Sequence, residues 1–88
     1  MIDATLSPTS LVTRALTAVL ARIVDGTYGQ ALPTQEALAQ DLKVSRTVVR
    51  EAIVILRFCN VLNVRPKIGT KINPRAMWKT AILEMAGD

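Results

Sequence analysis

The stretch "DLKVSRTVVREAI", residues 41–53, decides the fold, because a break and a two-faced helix stand side by side in it. Ser45 is a good N-cap for a helix running to about residue 59, since a serine oxygen accepts from a free N–H of the first turn. Turning roughly 100° per residue puts Val48, Ala52, Ile55 and Leu56 on one apolar face. Arg46, Arg50 and Arg57 fall within about 40° of one another on the far side, and Thr47 shares an exposed flank with Val54. Arginine and a small hydroxyl on the first turns of an exposed helix suit a major groove. The groove admits a helix, a guanidinium can bind guanine bidentately, and both groups can hold phosphate. An ordinary solvated helix face has the same pattern, and spacing alone does not choose between the two.

Upstream, Pro33 and Thr34 open a shorter helix, "QEALAQDLKV", with Leu38 and Leu42 on one face. It gives way at Lys43 and Val44 to the helix that Ser45 starts, and two helices joined by about three residues form a helix-turn-helix. Further upstream, Leu11, Val12, Ala15, Leu16, Val19, Leu20, Ile23 and Val24 follow the i, i+1, i+4, i+5 rhythm of a broad helical stripe. That first helix is capped by Ser7 or Thr9 and stops by Gly26, with "GTYGQALP" as connector. It lacks the lysine-rich polar face and bulky aromatics of a membrane-surface helix, so its stripe belongs to a core.

Downstream, Asn60 ends the third helix, asparagine being tolerant of the left-handed conformation of a C-terminal cap. "VLNVRPKIGTKIN" then reads as two short strands with Leu62, Val64 and Ile72 facing in, joined by a tip containing Pro66, Lys67 and Gly69. Arg65, Lys67 and Lys71 make this hairpin a basic wing. The fold expected is a winged helix-turn-helix, mainly α with a small β-hairpin, its third helix suited to the major groove and its wing to phosphates or the minor groove.

Charge follows the same division. Lys43, Arg46, Arg50, Arg57, Arg65, Lys67, Lys71, Arg75 and Lys79 stand against Glu51 alone between residues 43 and 79, whereas the whole 88-residue chain is only +4. Such asymmetry suggests a polyanionic partner, although a solvated basic face kept for solubility gives the same count. Half the residues are apolar and a fifth charged, a folding composition for one small domain. With one cysteine and no histidine there is neither an internal disulfide nor a Cys/His zinc set, and no base to activate a nucleophile. Neither a cofactor nor an enzymatic activity is expected. No apolar run approaches the roughly 18 to 20 residues of a membrane span, and "MIDATLSPTS" lacks the pattern of a secretory leader, so a cytoplasmic protein is expected.

The run "ALPTQEALAQDLKVSRTVVREAIVILRFCNVLNVRPKIGTKI" resembles the DNA-binding domain of the GntR family of bacterial transcription regulators. That family's pattern reads roughly L-P-S-E-R-x-L-A, then V-S-R-x-x-V-R-E-A-L, then a G-x-G-T wing, and the likeness covers about residues 11 to 73. The resemblance implies operator-contacting arginines at Arg46 and Arg50, a helix-capping residue at Thr34 and a wing glycine at Gly69, followed by Thr70. Four departures stand out. Glu36 occupies the place of an arginine early in the second helix, where phosphate would repel it. Lys43 and Asn60 replace glycines at the ends of the second and third helices, and Lys67 stands where a first wing glycine is common, which implies strain or altered turns.

"NPRAMWKTAILEMAGD" resembles the tryptophan-containing linker that, in the FadR branch, leads into an all-helical effector-binding and dimerisation domain. On that basis residues 1–73 form the DNA-binding domain and 74–88 a linker or the start of a further helix, in a chain that is either a fragment or a natural single-domain protein. Trp78, Ile82, Leu83 and Met85 then either seek a partner surface or fold back on the first helix. Cys59, Phe58 and Tyr28 are expected in the core.

The expected function is sequence-specific binding of duplex DNA. Arg46 and Arg50 contact base edges or adjacent phosphates, Thr47 assists, Ser45 and Thr34 lie at the helix starts, and Arg57, Arg65, Lys67, Gly69, Thr70 and Lys71 approach the backbone. A homodimer on a palindromic operator is expected of the full regulator, with any effector bound only by another domain. The competing reading is a winged helix that binds protein through its apolar C-terminal segment.

Overall fold

The computed structural model describes residues 8–87. Helix α1 spans Pro8–Val24, α2 Gln35–Leu42 and α3 Arg46–Phe58. A two-stranded antiparallel hairpin follows, β1 Leu62–Arg65 and β2 Gly69–Ile72, then a 3₁₀ turn at Arg75–Met77 and a short α4 at Thr80–Met85. Ser7, one of the two expected caps of α1, lies outside the described residues, and Thr9 falls within the helix.

Local chemistry sets the breaks. The Thr34 hydroxyl oxygen accepts from the Ala37 N–H at 3.1 Å to start α2, and the Ser45 oxygen accepts from the Val48 N–H at 3.1 Å to start α3. Lys43 ends α2 in the left-handed region at φ 59°, and the Val44 N–H turns back to the Ala39 carbonyl. Asn60 ends α3 at φ 65°, with its own N–H on Arg57 and that of Val61 on Leu56, the paired bonds of a Schellman motif. Both chain reversals expected at glycine-type positions are present, built here on a lysine and an asparagine.

The core gathers one stripe from each helix. Val12, Ala15, Leu16, Val19, Leu20 and Ile23 of α1 meet Val48, Val49, Ala52, Ile53 and Leu56 of α3, with Leu38 and Ala39 of α2 closing one side. Each buried Leu, Ile or Val contributes about 1.5–3 kcal/mol. Two expectations of the stripe reading are corrected. Val24 is 39% exposed because it occupies the last turn of α1, past the reach of α3, and Ile55 is 37% exposed because it lies at the border of the packed arc. Arg22 on α1 pairs with Asp41 on α2, both partly exposed, which ties the helices weakly. In the connector the Thr27 hydroxyl and N–H hold the Asp25 carboxyl below its usual pKa.

The C-terminal segment folds back. Trp78 and Ile82 are buried in the same core, and Leu83 and Ala86 pack against it. The Trp78 indole N–H donates to the Asn73 carbonyl at 2.9 Å, and the Lys79 N–H donates to the Cys59 carbonyl at 3.0 Å, so the segment is stitched to the end of α3. Met85 is left half-exposed. Tyr28 and Cys59 are partly buried against the core, but Phe58 is 73% exposed and the Lys79 ammonium lies 4.0 Å from its ring centre. Phe58 belongs to the surface because it points away from the packed side of α3, although Leu56 in the same turn is fully buried.

Candidate nucleic-acid interface

Arg46, Thr47 and Arg50 lie on the first two turns of α3, and all three are exposed. Among the described residues no acidic side chain pairs with Arg46, Arg50, Arg57, Arg65, Lys67 or Lys71; the one ion pair there is Arg22–Asp41. The helix is about 20 Å long, enough to run through a major groove about 12 Å wide.

Its faces are arranged differently from the expectation. With Arg46 at 0° and roughly 100° per residue, Val48, Ala52, Leu56, Val49 and Ile53 fill a buried arc from roughly 200° to 340°. The outward direction is therefore near 90°. Val54, Thr47 and Phe58 lie there, at roughly 80°, 100° and 120°, whereas Arg46, Arg57 and Arg50 sit at roughly 0°, 20° and 40°. The arginines flank the packed face and do not oppose it, because Val49 and Ile53 are buried beside them. A signal for this was present: residues 48, 49, 52, 53 and 56 repeat the i, i+1, i+4, i+5 rhythm of the first helix.

The wing adds a second basic surface. The register pairs Leu62 with Ile72, Asn63 with Lys71, Val64 with Thr70 and Arg65 with Gly69. Arg65 and Lys71 therefore share one face of the hairpin, and Leu62, Val64, Thr70 and Ile72 the other. Leu62 is buried and Ile72 partly so, but Val64 is 43% exposed, contrary to the inward position expected, because the inner face leaves the core toward the tip. At the tip the Ile68 N–H closes on the Arg65 carbonyl at 3.1 Å, with Lys67 at φ 67° in the third position of that turn. Gly69 follows at φ 109°, where a side chain would be strained although the space around it is open.

One element of the wing's support escaped the sequence reading. Ala31 in the connector bridges to Lys71, with the Leu32 N–H on the Thr70 carbonyl and the Ile72 N–H on the Gln30 carbonyl, each at 2.9 Å. The hairpin is thereby anchored on its β2 side. Thr70 is half-buried there, while Thr34 and Ser45 are exposed and their hydroxyls, accepting as caps, keep an O–H to donate. Glu36 is exposed in the first turn of α2, where an acid favours the helix N-terminus.

Residues 11–72 match the profile of the bacterial regulatory proteins of the gntR family. The chain belongs to the GntR family. The matched residues are its winged-helix DNA-binding domain. An uncharacterised HTH-type transcriptional regulator of Escherichia coli K12, YieP, is 41% identical over 59 residues, which are 65% of this chain and 26% of that protein. The chain thus spans about a quarter of that relative's length. A GntR structure from Streptococcus agalactiae superposes with a TM-score of 0.63 at 35% identity, over 73% of this chain and 32% of that one. A GntR family transcriptional regulator from Listeria monocytogenes superposes with a TM-score of 0.73 over 99% of this chain and 73% of its own. At 19% identity that last likeness concerns the fold alone. No helix among the described residues of this GntR domain is long and apolar enough to cross a membrane.

Proposed function

We propose that this GntR domain reads duplex DNA with α3 in the major groove and the wing on the backbone or in the minor groove. Arg46 and Arg50 contact base edges or the adjacent phosphates, Thr47 assists, and the Ser45 and Thr34 hydroxyls donate to phosphate at the helix starts. Arg57, Arg65, Lys67 and Lys71 hold the backbone, and Gly69 and Thr70 shape the wing that approaches it. The full regulator acts in the cytoplasm as a homodimer on a palindromic operator, its effector bound by an all-helical domain of the FadR type joined through the Trp78 segment.

The observation that supports this most is the exposure of Arg46 and Arg50 on the leading turns of α3, without acidic partners among the described residues. Unpaired guanidiniums on a helix start, beside a lysine- and arginine-bearing hairpin, suit phosphate and guanine. Burial of Trp78 and Ile82 in the core speaks against the competing reading, since these two apolar side chains of the C-terminal segment are occupied.

Selection from randomised duplexes at near-physiological salt, with wild type and Arg50→Ala side by side, tests the proposal. A motif enriched by wild type and lost by the variant supports it. Enrichment of the same motif by both would refute base readout by Arg50.

A further inference from the structure

The outermost ridge of α3 carries a large apolar side chain that the packing does not require. Val54 is 54% exposed, almost opposite the buried arc, and follows Thr47 by seven residues, two turns along the same ridge. Arg50 lies one turn before it and Arg57 one turn after. It borders an open groove of about 600 Å³ between α3 and β1, lined also by Phe58, Leu62, Val64 and Met77. The exposed Glu51 stands on the other side of the ridge, but Arg50 and Arg57 outnumber it, which favours a polyanion over a protein surface as the occupant. On a helix seated in a major groove, the residue facing outward meets the base edges. The one apolar group on those edges is the C5-methyl of thymine.

We propose that Val54 contacts a thymine methyl and sets a base preference that the arginines do not supply. The inference rests on the DNA reading above. Arginine recognises guanine by hydrogen bonds, whereas valine distinguishes thymine from cytosine by a methyl group alone. Two helical turns advance about 10.5 Å, so at about 3.4 Å per base pair the thymine lies about three pairs from the one that faces Thr47.

The test uses the duplex enriched by the wild-type chain and the same duplex with uracil at the thymine in question, which removes only the methyl. Binding of wild type and Val54→Ser to both is followed by fluorescence anisotropy at fixed salt. The substitution is at an exposed position and leaves the core untouched. Wild type should weaken about fourfold on uracil, the value of one buried methyl-sized group, and Val54→Ser should bind both duplexes alike. An equal response of the two proteins to uracil overturns the proposal. So does an enriched motif with no thymine at that distance; if Arg50→Ala still loses that motif, the DNA reading itself stands. Absence of any enriched motif overturns both, and leaves the groove beside Val54 to a protein partner.

Discussion

Lys43 offers a quantitative test of how the helix-turn-helix is held. It sits at φ 59°, ψ 45°, between α2 and α3, and its N–H reaches the Ala39 carbonyl while its side chain is exposed. Left-handed backbone costs an ordinary L-residue about 1–2 kcal/mol, and glycine avoids that cost. Glycine in turn loses about 0.5–1 kcal/mol more chain entropy on folding. Lys43→Gly should therefore raise stability by a net of about 0.5–1 kcal/mol. In a domain of this size that corresponds to a rise in melting temperature of about 2–8 °C. Lys43→Ala provides the control, because it removes the charge and keeps the strain, and it should change stability by less than about 0.5 kcal/mol. Asn60→Gly, at φ 65°, should gain little, since asparagine bonds locally in this conformation. Urea unfolding of the four proteins with a common slope measures all three differences. If Lys43→Gly is destabilised, or if Lys43→Ala gains as much as glycine does, the strain account is wrong.

Ser45→Ala should lose about 1 kcal/mol in the same unfolding assay, and Ser45→Gly only a few tenths, because the lost bond is a cap on the Val48 N–H. Trp78→Ala should cost about 3–5 kcal/mol, much of the roughly 4–13 kcal/mol available to a chain of this length; a loss below about 1 kcal/mol would mean that residues 74–88 are not part of the core. Lys67→Ala at the wing tip should reduce the slope of log K against log salt by about one and leave the preferred sequence unchanged; an altered motif would contradict a backbone contact.

What the sequence made legible was mostly local. Thr34, Ser45, Lys43 and Asn60 mark helix ends through bonds to residues three to five positions away, and such signals survive whatever surrounds them. Orientation depended on the partner surface. Val48 was recognisable as buried, but Val49 and Ile53 were not assigned until α1 supplied the surface they pack on, and the arginine flank shifted with them. Phe58 and Val64 are apolar by type and exposed by position, because Phe58 points away from the packed side of α3 and Val64 stands where the hairpin leaves the core. The bridge from Ala31 to Lys71 joins segments forty residues apart, and no periodicity marks it. Trp78 was open to two readings for the same reason: its burial is settled by carbonyls at Asn73 and Cys59, which only the folded chain brings close.

The central claim, that the leading arginines of α3 read DNA sequence, is tested most directly by titrating wild type, Arg46→Ala and Arg50→Ala against a selected duplex and a scrambled one at fixed salt. The account predicts that at least one variant loses about 1–3 kcal/mol, roughly five- to 150-fold, on the selected duplex, and that the gap between the duplexes narrows. Unchanged affinity and an unchanged gap in both variants would contradict it.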